Sequence, residues 1–384
     1  MGQFDTVDKE FLFRRAAIKW GKWDRDVLSL SVADMDFPAP LEIKQAIIRC
    51  VEEDRTPYGL HQGDQEFREI LALKIRQRNC IPATADDVLV IPGAMAGIFL
   101  SCAHSLRPGD EAILCPSPVY PPFIKNIHLA GATAVHCSLD MRGDRRLDPE
   151  ELDRLVTDRT RLLMVCNPHN PTGRVLTREE LSGIAEVARK HNLTVFCDEL
   201  YEDMVYEGKH ISLASLDEDM SHRTITVFGF SKAFGIPGFR VAYLTIQDPV
   251  IQELTDRAHY YWVHADTLAQ AAGMAALTEC DGWLAEFMDH MRQMRDYVVN
   301  RLNGMDGVHC PSPEATPFVF PDLSAFGKSS LDITDYLRDQ ARVIVQEGSS
   351  FGSSGEGCVR INFATSRNIL NEAMDRIQAA LGLL

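Results

Sequence analysis

A chain of 384 residues with 45% hydrophobic content can bury a large core, and one large plus one smaller domain is the natural division. A formal charge of −16 argues against nucleic acid or an anionic membrane as partner, and no run of about 18 apolar residues is present to span a bilayer. The ten cysteines are scattered without a Cys-x-x-Cys pair and the opening Met1-Gly2-Gln3-Phe4-Asp5 is no secretory leader, so a reduced, cytoplasmic, metal-free protein is expected.

Residues 42–53 and 64–79 repeat apolar positions three and four apart, the period of amphipathic helices. Val88-Leu89-Val90-Ile91 predicts a strand closed by Pro92-Gly93, and Ala94-Met95-Ala96-Gly97 opens a helix to about Ser105. Further strands are expected at 111–115, 133–138, 162–166, 194–197 and 224–228, with helices at 149–156 and 178–191. Short, continuously apolar strands between helices imply an α/β fold, its mostly parallel sheet covered on both faces. In such sheets ligands bind at the carboxyl ends of the strands. From Trp283 the pattern changes to a long helix (283–305), a Pro-rich turn, a strand at 318–320, a helix at 333–341, strands at 343–345 and 359–363, and a final helix. The expected division is a large cofactor-binding domain, 41–282, and a smaller α+β domain of 1–40 with 283–384.

Chemistry-bearing residues recur at the predicted strand ends. Small residues in Pro92-Gly93-Ala94-Met95-Ala96 would let backbone N–H groups and a positive helix end approach a phosphate. Tyr120, in Pro118-Val119-Tyr120-Pro121-Pro122, is either a ring that stacks on a planar ligand or a turn aromatic packed under a loop. Asn167-Pro168-His169-Asn170-Pro171-Thr172-Gly173 holds Asn170 rigidly as an amide donor, because a residue before proline stays extended; His169 reads as a polar loop residue. Asp198, after the strand at 194–197, either pairs with a ligand's ring nitrogen or caps a following helix. Arg360, on the strand at 359–363, offers a bidentate fork for a carboxylate or is a surface charge.

Ser231-Lys232-Ala233-Phe234-Gly235-Ile236-Pro237-Gly238-Phe239-Arg240 follows the strand at 224–228. A lysine at the end of a buried strand has its pKa pushed down, and a neutral amine can form a Schiff base with an aldehyde. Arg240 supplies a planar fork suited to phosphate. An aldehyde carrying a phosphate describes pyridoxal 5'-phosphate. By themselves, Lys232 as a snorkelling side chain and Arg240 as a surface charge would serve equally.

The ordered set Asn-Pro-x-Asn-Pro-Thr-Gly, Asp-Glu-x-Tyr, Ser-Lys-x-Phe-Gly-x-Pro-Gly-x-Arg and late Arg-x-x-Phe-Ala-Thr-Ser resembles the fold-type I pyridoxal-phosphate enzymes of the aminotransferase class I/II family. The resemblance runs from about residue 25 and implies the aspartate-aminotransferase-like fold. It implies Lys232, Tyr201 and Asp198 as catalytic, with Lys232 forming the internal aldimine and Asp198 pairing with the ring nitrogen. Asn170 and Tyr201 would contact the phenolic oxygen, Tyr120 would stack, and Ala94, Met95, Ser231 and Arg240 would hold the phosphate. Ser231 would compensate for Gly229, which stands where the family commonly has Ser or Thr. Arg360, Asn170 and Ala33 would bind substrate. Tyr58, in Thr56-Pro57-Tyr58-Gly59, matches a tyrosine that reaches the phosphate of a partner subunit, implying a homodimer.

The implied activity is amino transfer from an α-amino acid through an external aldimine and a quinonoid. The competing branch is C–S β-elimination, because Phe4-Asp5, Val32-Ala33-Asp34-Met35-Asp36-Phe37-Pro38 and Ser117-Pro118-Val119-Tyr120-Pro121-Pro122-Phe123 are similar to cystathionine β-lyases of the MalY/PatB type. Those lyases usually carry Asn at the place of Gly235, His at that of Tyr201 and no arginine at that of Arg240, where this chain resembles the transaminases. Decarboxylation or oxidative deamination is a lesser alternative. A cofactor-free regulator is the competing class, and retention of Lys232, Asp198 and Arg360 together argues against it.

Overall fold

The structure is a computed structural model describing residues 3–15, 17–247 and 249–384; Met1 and Gly2 of the opening lie outside it. The amino-terminal segment holds α1 (Lys9–Arg14) and the two-residue strand β1 (Leu28–Ser29). Next come α2 (Leu41–Glu52), α3 (Gln65–Arg78), β2 (Val88–Ile91), α4 (Ala94–Ser105), β3 (Glu111–Ser117), α5 (Pro121–Leu129) and β4 (Thr133–Ser138). The alternation continues through α6 (Pro149–Leu155), β5 (Thr160–Cys166), α7 (Arg178–Lys190), β6 (Thr194–Asp198), α8 (Glu218–Arg223), β7 (Thr224–Gly229) and β8 (Ala242–Thr245). Three helices follow, α9 (Val250–Trp262), α10 (Thr267–Thr278) and α11 (Asp281–Asn303). Last are β9 (Phe318–Val319), α12 (Ser330–Tyr336), β10 (Val343–Ile344), β11 (Gln346–Glu347), β12 (Val359–Asn362) and α13 (Arg367–Leu381).

Seven strands form one sheet in the order β2-β8-β7-β6-β5-β3-β4, parallel except for β8, which runs against both neighbours. The fully buried runs Val88–Ile91 and Glu111–Ser117 are what a sheet covered on both faces requires. The orientation of β8 decides where Arg240 lies. Because β8 is antiparallel to β2 and β7, its beginning sits at the edge where those strands end, so Arg240, two residues before it, joins their carboxyl ends.

Two smaller sheets lie outside the main one. β12 is flanked by β11 and β9, both antiparallel, and β1 pairs in parallel with β10 in the register Leu28↔Val343. The segment after β1 is stitched to β12. Asn362 N–H donates to Leu30 O at 2.8 Å, and the Asn362 amide donates to Val32 O at 2.6 Å and Asp34 O at 2.8 Å. Ala33 and Arg360 are therefore parts of one hydrogen-bonded unit.

Local chemistry explains the boundaries. Thr177 and Glu180 form a reciprocal capping box at the start of α7, worth about 1 kcal/mol, and Glu180 also pairs with Arg174 at 2.8 Å. Pro121 begins α5 at a position where proline's missing N–H has no helical partner to lose. No helix among the described residues is long and apolar enough to cross a membrane.

Candidate active site

The carboxyl ends of β2, β5, β6 and β7 converge on one cavity. Lys232 enters it just past β7 and donates to Ala33 O at 2.7 Å. Burial pushes its amine down to about 8, opposed by the negative charges of Asp34 and Asp198. The snorkelling alternative is thereby set aside, since the lysine is drawn inward.

Asp198 ends β6, lines the same cavity and is 5% exposed. Burial raises its carboxyl to about 6, against the pull of the Leu200 N–H and Lys232. Its Oδ1 accepts from Leu200 N at 3.1 Å, within a turn. No helix begins there, so Asp198 is not a helix cap.

Arg360 is 3% exposed, on β12. Its Nη1 donates to Asn170 Oδ1 at 2.9 Å and its Nη2 to Ser31 O at 3.0 Å, while its Nε is buried without a partner. Phe318 and Phe351 lie 4.2 and 4.9 Å from the guanidinium carbon, and burial pushes this arginine down to about 10. A buried guanidinium with neutral acceptors and aromatic faces is a cation awaiting an anion. The contact also orients Asn170. With Oδ1 committed to Arg360, the amide nitrogen is left to donate into the cavity.

Tyr201 is buried against Phe318 with ring centroids 5.7 Å apart, and Tyr120 lines the same cavity from the start of α5. Burial raises both phenols, so each is a protonated donor. At the other end Ala94 and Met95 open α4, whose N-cap Gly93 offers no side-chain acceptor, so the first N–H groups stay available. Arg240 stands beside them and, among the described residues, donates only to Pro237 O at 3.1 Å and Pro92 O at 3.2 Å. Ser231 also lines the cavity. Gly229 does not: it ends β7, where an added Cβ would lie 3.2 Å from that of Ala242 across the ladder.

The donor set fits pyridoxal 5'-phosphate on observations of the fold itself. An inward amine and a buried carboxylate face each other, an uncapped helix start meets an arginine without a carboxylate partner, and an orphaned guanidinium nitrogen lies beyond.

Tyr58 is expected to reach a partner's site rather than this one, whereas the burial of His169 and the position of Asp34 were not anticipated. Tyr58 is 89% exposed and does not line this cavity. His169 is a loop residue, but a fully buried one, with Nδ1 2.6 Å from Thr172 Oγ1 and its ring pushed down to about 3 by burial and Arg174. Asp34, which sequence reasoning gave no role, faces Lys232 electrostatically. Its Oδ1 is buried without a partner, and burial raises its carboxyl. The available signal was a carboxylate inside the otherwise apolar run Val32-Ala33-Asp34-Met35.

A family model described as aminotransferase class I and II matches residues 25–377. An aspartate aminotransferase of Pyrococcus abyssi is 35% identical over 361 residues, 93% of this chain and 92% of that protein. Among solved structures, an aromatic aminotransferase of Pyrococcus horikoshii superposes with a TM-score of 0.90 at 34% identity, over 93% of this chain and 96% of that one. Cystalysin of Treponema denticola, whose structure contains a pyridoxal 5'-phosphate cofactor, gives 0.92 at 26% identity, over 99% of this chain and 98% of that one.

Proposed function

The chain belongs to the aminotransferase class I and II family and is a pyridoxal-phosphate-dependent aminotransferase, and on that premise we propose how its own residues divide the work. When bound, the cofactor supplies an aldehyde for covalent capture of amines and a ring that accepts electrons. Lys232 would anchor it and, as a free amine, would move the proton at the substrate's Cα. Positioned general base catalysis of this kind is worth ~10²–10⁴ in rate. A pKa pushed to about 8 leaves the amine poised for that exchange near neutral pH. The buried carboxylate of Asp198 holds a proton on the ring nitrogen. The Asn170 amide and the Tyr201 hydroxyl would donate to the phenolic oxygen, and Tyr120 would stack on the ring.

Arg240, Ser231 and the N–H groups of Ala94 and Met95 hold the phosphate, joined by Tyr58 of a partner subunit in a homodimer. Arg360 grips the α-carboxylate, with Asn170 and the Ala33 loop beside it. The single observation that carries this reading is the convergence of Lys232 and Asp198 on one cavity whose Asn170 wall is held by the anion-free Arg360.

The lining contributed by this one chain favours an α-amino acid with an uncharged side chain. Among the described lining residues the only cations, Lys232 and Arg240, are committed to the cofactor, and Ile98, Leu200 and Pro237 add apolar wall. The relatives named for aspartate and for aromatic amino acids bracket this choice. The division into 41–282 and 1–40 with 283–384 is supported by the pairing of β1 with β10 and by the main sheet lying wholly within 88–245. A cytoplasmic setting is supported by Cys80, an exposed free thiol.

The test supplies phenylalanine, methionine, aspartate and an S-alkyl cysteine, each with 2-oxoglutarate, and measures glutamate, pyruvate and thiol. Glutamate from phenylalanine or methionine at higher kcat/KM than from aspartate supports the reading, and an aspartate preference defeats the substrate class. Pyruvate and thiol in excess of glutamate would make β-elimination the main reaction.

A further inference from the structure

Tyr58 belongs to a loop that is fastened to the end of α9 by two histidine contacts. His61 stacks on His259 with ring centroids 3.6 Å apart. Gly59 N–H donates to His264 Nε2 at 3.2 Å, and the Tyr58 ring meets His264 edge-on with centroids 5.9 Å apart. His264 Nδ1 lies 2.7 Å from Ala265 O, so the proton sits on Nδ1 and the Nε2 lone pair faces Gly59. Two backbone groups thus set both the tautomer and the direction of this ring. A Cβ at position 59 would lie 3.3 Å from it, closer than comfortable contact, which suits glycine.

The backbone that delivers the ring is strained. Val263, the residue after α9, has φ 64° and ψ −62°. His264 N–H closes a three-residue turn on Trp262 O at 2.7 Å. This is the γ-turn of the hand that L residues avoid, β-branched ones above all. Val263 N–H is held by His259 O at 2.9 Å and Val263 O by His259 Nδ1 at 3.2 Å. Such strain persists where neighbouring contacts over-determine the geometry, and it collects at sites where direction matters. Here it aims His264 at the Tyr58 loop.

We propose that His264 is a positioning residue: it sets the direction in which Tyr58 leaves its own subunit, so that the hydroxyl reaches the phosphate held by the partner. This rests on the reading of Tyr58 as a phosphate ligand across a dimer. His264 does not line its own chain's cavity, and the role proposed for it is through Tyr58.

The test titrates cofactor-free protein with pyridoxal 5'-phosphate and reads the dissociation constant, with no turnover involved. The proteins are wild type, Tyr58→Phe, His264→Ala, the double variant and His264→Gln. Tyr58→Phe and His264→Ala should each weaken binding about tenfold, the size of one hydrogen bond to a charged group. The double variant should bind no worse than Tyr58→Phe alone. His264→Gln, whose side-chain oxygen can accept from Gly59 N–H, should regain most of the loss. Losses that multiply, a His264→Ala constant within twofold of wild type, or a Gln variant as weak as Ala would each overturn the inference while leaving the Tyr58 reading intact. An unchanged constant in Tyr58→Phe would instead remove the Tyr58 reading, and the role of His264 with it.

Discussion

A buried ammonium costs the folded chain what a buried amine does not, and Lys232 bears that cost whenever no cofactor is attached. Its folded pKa of about 8 lies below the ordinary 10.5. Below pH 8 both folded and unfolded chains are protonated, and the folded state carries the full penalty of about 3 kcal/mol. Between pH 8 and 10.5 the unfolded chain binds more protons, so stability rises with pH and the penalty is gone near 10.5. Cofactor-free Lys232→Met should therefore be about 3 kcal/mol more stable than wild type at pH 7, the gap shrinking steadily above pH 8. Urea unfolding at pH 7 and 9.5 measures both points, and equal stability at pH 7 would contradict the burial of this amine. At this scale the sequence was informative where a side chain's place follows from a strand end, as for Lys232, Asp198 and Asn170. It was silent on Asp34, because the charges of Lys19 and Lys232 that act on its carboxyl are brought to it only by folding.

The turn between β2 and α4 shows how an element's geometry becomes binding. Gly93 has φ +89°, and a Cβ there would collide with the Arg240 guanidinium. Gly93→Ala should displace that fork and weaken cofactor binding by about tenfold to a hundredfold, the worth of a charge-assisted pair. In an Arg240→Ala background the same change should leave the dissociation constant alone, though strain would still lower the melting temperature. Equal losses in both backgrounds would mean that Arg240 is not the group displaced. The proline-glycine step was visible in the sequence, but its collision partner is 147 positions away and reaches it only because β8 runs antiparallel. β8 itself escaped notice, being four residues without flanking contrast. The helices α5 and α10 were equally obscure. Pro121-Pro122 reads as a turn until proline's tolerance at a helix start is allowed for, and the alanine-rich 267–278 has little polar face to reveal a period.

At the scale of the whole molecule, the proposed site needs Lys232 and Tyr58 from different chains, which a single sequence suggests only through its resemblance to relatives. In this chain the two belong to different surfaces: Lys232 is inside the cavity, and Tyr58 stands 89% exposed. A subunit-mixing experiment follows. Lys232→Ala alone has no anchoring amine, and Tyr58→Ala, assayed at cofactor concentrations too low to load it, has no complete phosphate site. When equal amounts are mixed and allowed to exchange, about half of the dimers are mixed, following two-fold assembly from two equally abundant chains. In each mixed dimer one site joins an intact Lys232 to the intact Tyr58 of the other chain, and its second site lacks both. Activity should therefore recover to about a quarter of the wild-type value per site, given equal partition between the two kinds of contact. If Tyr58 served its own chain's site, no mixed dimer would hold a complete site and no recovery would occur. Recovery thus separates a phosphate contact that crosses the interface from one that folds back, and it does so without knowledge of the natural substrate.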